Sequence, residues 1–293
     1  VVTAERRQDG AQSVPISMTV FDGDAINNLN LFSVGQLGEQ VPNVRMYNDS
    51  GENGAVQVVI RGVYSAGQTY MAGPAALVYA DDVVLDSYLS QGLAFFDVDR
   101  VEVLRGPQGT LFGKNASAGV INIITKAAAD TQGSLVQVSA GNEEKVIAQL
   151  RHGIEVNKDV SARTYLKYAD RESSYAPDID DSANDDWKTR QAGFRVDGGV
   201  AQDTWTIQGD VYSNLLSQTL DNIYLDPYNP DNNPPDPVTP YRLFNTKDDI
   251  HASGHNVLGR LNRQINTNSQ ASLQIYYDHT KRREYILEQE KDT

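Results

Sequence analysis

Few residues in this chain have the type and spacing to do covalent chemistry. The most suggestive run is Arg105–Gly119, RGPQGTLFGKNASAG, where glycines crowd around a Gly-Lys pair. A phosphate-cradling loop would need a glycine five residues before Gly113, and Gln108 stands there. It would also need Ser or Thr after Lys114 to hold magnesium, and Asn115 stands there. Nucleotide chemistry is therefore excluded. There is no G-x-S-x-G nucleophile elbow, and no carboxylate pair separates itself from the surface acids. His251 and His255 fall inside a stretch read as a Pro-rich loop with no third ligand marked, so no metal centre is expected. The chain has no cysteine, so thiolate chemistry and disulfides are absent. The expectation is a protein that is not an enzyme and has no cofactor of its own.

The remaining candidates are binding and positioning groups. Arg61 and Arg105 each close an apolar strand, a position that suits either a solvated cation or a docking contact. Gly62, Gly106, Gly109, Gly113 and Gly119, with Pro107, mark tight turns or places where backbone approaches backbone. Tyr64, Tyr70 and Met71, and further on Tyr88, combine apolar bodies with polar or polarisable tips. They could contact a ligand or simply pack. The linking segments are acidic. Residues 171–187 carry Glu172, Asp178, Asp180, Asp181, Asp185 and Asp186, and residues 215–254 add six aspartates and six prolines. Solvated loops are the simpler reading of these acids, and a cation-binding mouth is the sharper one.

Two textures of chain must position these groups. Up to about residue 130, short apolar runs lie between Gly/Pro turns: Ile16–Val20, Val56–Arg61, Ala76–Ala80, Val101–Arg105 and Val120–Thr125. These read as buried strands. Asp24 and Ser33 are the expected N-caps of two short helices, the second ending before Pro42. Beyond residue 130 the pattern becomes long period-two alternation. In 160–168, Val160, Ala162, Thr164, Leu166 and Tyr168 share one face, opposite Ser161, Arg163, Tyr165 and Lys167. In 188–200, Ala192, Phe194, Val196 and Val200 oppose Gln191, Arg195 and Asp197. Seven such strands are read, joined by links that include 171–187 and 215–254 at one rim and short turns at the other. That asymmetry is typical of membrane barrels.

Bulk properties agree. Net charge is −14, with 25 Lys and Arg against 39 Asp and Glu, which leaves no basic face for nucleic acid. Mean hydropathy is −0.46, and no apolar run reaches the roughly 20 residues of a spanning helix. Neither fact bears on a barrel, because only alternate residues touch lipid. Trp187, Trp205, Tyr168 and Tyr212 fall near the expected rims. Seven strands cannot surround a 130-residue domain; plugged barrels have about 22, so further strands or a second chain are expected to complete the wall.

The run Arg100–Lys126, RVEVLRGPQGTLFGKNASAGVINIITK, resembles the signature of the TonB-dependent outer-membrane receptor plug. VVTAERR at 1–7, PISMTVFDGD at 15–24, VPNV at 41–44, IRG at 60–62 and LVYADDV at 77–83 match the same family in order and spacing. The resemblance implies a small α+β plug domain at 1–130, followed at 131–293 by the first antiparallel transmembrane β-barrel strands. It implies residence in the outer membrane of a Gram-negative bacterium, contact with its lipid, and import of a small-molecule ligand. That ligand is most often a ferric siderophore, with cobalamin, haem or carbohydrate as alternatives; any iron complex would be cargo. The implied partner is TonB with its inner-membrane energising complex, touching a segment of which Val1, Val2 and Thr3 form the tail. Arg61 and Arg105 are implied to pair with glutamates on the inner barrel wall, in strands beyond Thr293. One departure stands out: Asp81-Asp82 replaces the usual Asp-Gly turn, which predicts a longer hairpin loop. The rival reading is a soluble or split-barrel binding or structural protein that keeps a plug-like domain.

Overall fold

The computed structural model describes residues 2–3, 10, 13–29, 31, 34–48, 56–63, 74–85, 97–142, 144–177, 181–225, 241–284 and 287–292. The N-terminal domain is built on a five-stranded sheet. Its strands are β1 (Met18–Asp22), β4 (Ala76–Ala80), β5 (Val83–Leu85), β6 (Val98–Arg105) and β7 (Gly119–Thr125), in the order β1-β6-β7-β4-β5. Only β4 and β7 run parallel. A separate hairpin pairs β2 (Val44–Asn48) with β3 (Val56–Ile60).

Apolar side chains cover both faces of the larger sheet. Val78, Val101, Val103 and Ile121 join Phe21, Ile26, Leu37 and Ile60 on one side. Leu77, Tyr79, Leu104 and Val120 join Val2, Val14 and Phe112 on the other. Two-sided burial explains why these strands read as continuous apolar runs without alternation. Each fully buried valine or leucine contributes about 1.5–3 kcal/mol.

Helix α1 (Gly23–Asn28) follows β1 without a break, and its cap is Asp22, whose Oδ1 accepts from Ala25 N at 2.8 Å. The cap expected at Asp24 is therefore displaced by two residues, and Asp24 sits in the first turn. The cause is Gly23, where a Cβ would lie 2.8 Å from Val98 O, so the chain must turn into the helix there. The second expected helix is a 3₁₀ segment, Val34–Glu39; Ser33 lies outside the described residues. The Asp81–Asp82 turn corrects another expectation. Ala80 pairs directly with Val83, so the loop has two residues, with φ of 46° and 68°. Aspartate tolerates this left-handed backbone better than most residues, which lets the pair stand where Asp-Gly is usual.

Past a 3₁₀ turn at Ala128–Thr131, eight strands form one antiparallel sheet. They are β8 (Gly133–Ser139), β9 (Val146–Asn157), β10 (Val160–Arg171), β13 (Trp187–Val200), β14 (Asp203–Leu225), β15 (Tyr241–Asn266), β16 (Ser269–Glu284) and β17 (Leu287–Asp292). The sheet is open, with β8 and β17 at its edges. Two-residue strands β11 (Tyr175–Ala176) and β12 (Asp181–Ser182) fold the 171–187 link into a small hairpin.

The expected loop at 215–254 is largely strand. The β14–β15 ladder runs from Asp203↔Arg263 to Leu225↔Tyr241, about 75 Å at 3.3 Å per residue, far more than a membrane needs. Period-two patterning marks only the stretch where one face meets something apolar. Beyond it the ladder continues through a sequence rich in Asp, Asn, Ser and Thr that lacks the alternation and so read as loop. His251 and His255 consequently lie on β15, with the His255 ring stacked on His279 at 5.0 Å.

One face of the long sheet is an exposed apolar row: Val136, Val138, Leu150, Ile154, Leu166, Phe194, Ile207, Val211, Val257, Leu261, Leu273 and Ile275. The other face is polar and meets the N-terminal domain. Tyr212 belongs to that inner face: it is buried, and its hydroxyl lies 3.0 Å from Thr280 Oγ1. No helix among the described residues is long and apolar enough to cross a membrane.

Candidate functional site

The glycine-rich run folds as a structural corner between β6 and β7. Gly106 N donates to Ala118 O and Gln108 N to Ala116 O, both at 2.8 Å, and the short helix α2 (Gly109–Phe112) fills the corner. Tyr79 caps it from below, donating its hydroxyl to Phe112 O at 2.8 Å while the two rings meet edge to face. Gly62, Gly106 and Gly113 have positive φ. At Gly119 a Cβ would lie 2.2 Å from Leu104 O, so no side chain fits. Gly109 is different: it opens α2 with space around it and needs neither a left-handed backbone nor close approach.

Arg105 turns inward on its own domain, donating from Nη1 to Pro42 O (3.2 Å) and from Nη2 to Met18 O (3.4 Å). Arg61 holds a left-handed φ of 54° beside Gly106. Neither forms an ion pair among the described residues. Tyr64, Tyr70, Met71, Tyr88 and Val1 lie outside the described residues. Val2 and Thr3 are docked. Val2 is buried in the second core, and Thr3 N donates to Glu102 Oε1 at 2.8 Å. Glu102 is fully buried and also takes Arg100 Nε at 2.8 Å.

The chemistry that joins the two parts of the molecule was not singled out in the sequence. Three aspartates of the N-terminal domain face a stripe of side chains on the inner wall. Asp97 receives Arg151 Nη1 of β9 on Oδ1 (2.5 Å) and Arg163 Nη1 of β10 on Oδ2 (3.2 Å). Asp81 accepts from Thr125 N (3.0 Å), Thr125 Oγ1 (2.7 Å) and Gln208 Nε2 of β14 (2.8 Å). Arg195 of β13 donates from Nη1 to Thr125 Oγ1 (2.8 Å) and lies 3.9 Å from the Asp81 carboxylate. Arg260 of β15 donates from Nη2 to Asp81 O (2.5 Å) and contacts Asp82 Oδ2 (3.0 Å), while its Nε binds Gln274 Oε1 (2.8 Å). Five adjacent strands thus each contribute one docking side chain. All three aspartates hold positive φ, 46°, 68° and 49°, the kind of strain kept where surrounding contacts over-determine it.

In these contacts the domain supplies carboxylates and the wall supplies arginines. Arg163 and Arg195 fell on the polar row of the alternating pattern, so their side was legible but their partners were not; Arg151 and Arg260 lie in segments where the alternation is less clean.

Two cavities meet at the Asp81–Asp82 turn. One of about 120 Å³ is lined by Asp81, Arg163, Tyr165, Arg195, Gln208 and Asp210. The other, about 820 Å³, lies between Thr3, Asp82, Arg100 and Asn122 on one side and Arg260, Asn262, Gln270, Ser272 and Gln274 on the other. At the far rim, two of the loop acids act as braces: Asp185 takes Ser174 N and Oγ, and Asp186 takes Ser173 Oγ. Among the described residues no cluster of three His, Cys, Asp or Glu could hold a metal ion.

Residues 10–120 match the family model described as the TonB-dependent Receptor Plug Domain. The N-terminal part of the chain is similar to the plug domain of the TonB-dependent receptors. The vitamin B12 transporter BtuB of Vibrio vulnificus is 30% identical over 143 residues, which is 49% of this chain and 23% of that protein. The pesticin receptor of Yersinia pestis is 37% identical over 128 residues, 43% of this chain and 18% of its own length. This chain therefore spans about a quarter or less of those relatives. Among solved structures, the closed form of the ferric-catecholate import receptor Fiu from E. coli superposes with a TM-score of 0.69 at 17% identity. That match covers 93% of this chain and 38% of Fiu, and shows a common fold. In fold, the N-terminal domain corresponds to the plug and the eight-stranded sheet to a stretch of β-sheet wall in that structure.

Proposed function

We propose that this chain forms the plug and first wall strands of a TonB-dependent importer in the outer membrane of a Gram-negative bacterium, and that its cargo is a ferric siderophore. The observation that carries the reading is the plug held inside a wall whose outer face is apolar and whose inner face offers one docking side chain from each of five adjacent strands. A domain meant to stay put would be packed by apolar contact. Hydrogen-bonded charge pairs over polar cavities can instead exchange with water when the plug is pulled.

TonB is the partner that supplies the pull, gripping an extended segment next to Val1, Val2 and Thr3 by strand addition. Tyr64, Tyr70, Met71 and Tyr88 remain the proposed ligand contacts. Arg61 and Arg105 remain proposed contacts to wall glutamates outside this chain. The similarity to a siderophore-import fold supports iron; the similarity to BtuB keeps cobalamin as the alternative cargo. The test is growth of a receptor-deficient strain expressing the full receptor on a ferric catecholate as sole iron source, with cobalamin-dependent growth measured in parallel. Rescue by the ferric catecholate supports siderophore import, and rescue by cobalamin alone overturns that assignment.

A further inference from the structure

The two cavities on either side of the Asp81–Asp82 turn differ in capacity. The smaller holds about four waters at about 30 Å³ each. The larger is of the size that encloses small-molecule ligands. Asp81 lines both, so the turn is the partition between them. Most of the residues that line the larger cavity carry polar side chains, among them Arg100, Asn122, Arg260, Asn262, Ser272 and Gln274. We propose that the Asp81–Asp82 turn is the gate of a hydrophilic passage down the β15–β16 wall, and that Arg260 is the latch holding it shut. The inference rests on the importer reading and adds to it the route and the group that opens it.

Three features make this turn the element that yields. Both of its central residues hold left-handed backbone that L side chains adopt at a cost, so release relieves strain. It is the tip of β4–β5, where β5 has three residues and pairs with β4 alone in the sheet. Its latch is also the wettest of the aspartate–arginine contacts between the domain and the wall described above. The Asp82 side chain is 40% exposed, whereas Asp97 and Arg163 are each 4% exposed. Water can replace a contact that already faces it, but leaves a buried pair intact. Arg260 keeps its bond to Gln274 when the turn leaves, so opening strands no buried cation. Solutes suited to such a lining are those that carry hydrogen-bonding groups.

Residues 1–293 contain no cysteine, and with any cysteine elsewhere in the full receptor replaced by serine, a single introduced one reports alone. The experiment uses the full receptor without TonB and compares wild type, Arg260→Ala, Asp82→Asn and the rim control Arg263→Ala. Conductance in planar bilayers is measured first. Labelling of Ser272→Cys, which lines the larger cavity without touching Arg260, by a charged, membrane-impermeant maleimide added outside whole cells is measured second. The expected result is a conductance several-fold above wild type for Arg260→Ala, a smaller rise for Asp82→Asn, none for Arg263→Ala, and labelling that follows the same order. Asp82→Asn keeps the turn's backbone preference, so it reads the latch even where Arg260→Ala fails to fold. Wild-type conductance and labelling in a folded latch variant overturn the gate. A wild-type receptor that imports neither a ferric catecholate nor cobalamin overturns the importer reading instead, independently of the conductance comparison.

Discussion

Replacing Asp97 with asparagine is the sharpest perturbation of the plug–wall contact. Asparagine tolerates the left-handed φ of 49° and keeps the size of the side chain, so the change is almost purely one of charge. It leaves Arg151 and Arg163 facing each other without the carboxylate between them, in a place where the Arg163 side chain is 4% exposed and that of Arg151 13%. Removing one partner of a buried pair costs about 3–5 kcal/mol. Docking of this edge of the plug should weaken by that amount, or roughly a hundredfold or more in the open-to-closed ratio. The assay is hydrogen exchange of the full receptor, read at the β6 and β7 amides and at Lys126 N, which donates to Asp97 O at 2.7 Å. Their protection should fall by about two orders of magnitude or more if they exchange by local undocking. Protection within threefold of wild type would refute the argument that the acid–arginine contact, rather than apolar packing, fixes this edge.

Gly119→Ala should prevent the corner from closing, since the added methyl would lie 2.2 Å from Leu104 O; the expected loss exceeds about 3 kcal/mol, and a plug melting within a few degrees of wild type would contradict it. Ile275→Arg places a cation on the exposed apolar row and should reduce receptor assembly by a depth-dependent cost of up to about 2–4 kcal/mol; undiminished heat-modifiable receptor on gels would argue that this face does not meet lipid. Glu102→Ala removes the acceptor of both Thr3 N and Arg100 Nε. It should expose the N-terminal segment to trypsin at Arg6 and Arg7 at a rate several-fold above wild type, and an unchanged rate would show that Glu102 does not hold that segment.

Much of the fold was legible because burial leaves a periodic trace. The outward set Leu166, Phe194, Ile207 and Val211 alternates cleanly, and the structure exposes all four. The alternation stops within β14 and β15 while the backbone ladder continues, which is why these strands outran their expected bounds and His251 and His255 were read as loop. Asp81-Asp82 stood out as a departure from a turn motif, yet its role depends on Arg260, 178 residues after Asp82. No local pattern encodes a contact at that separation, only its two halves: an acid pair in a turn and an arginine in a strand. The Asp24 cap failed for a smaller reason: Asp22 and Asp24 are chemically equivalent candidates, and the helix opens at Gly23, where Val98 O leaves no room for a side chain.

The account stands or falls on energised import. The decisive measurement is accumulation of a radiolabelled ferric catecholate, with radiolabelled cobalamin alongside, by cells carrying the full receptor, in the presence and absence of TonB. Accumulation of either ligand that requires both receptor and TonB is the predicted result. Equal accumulation without TonB, or a receptor that is found outside the outer membrane and accumulates neither, would contradict it.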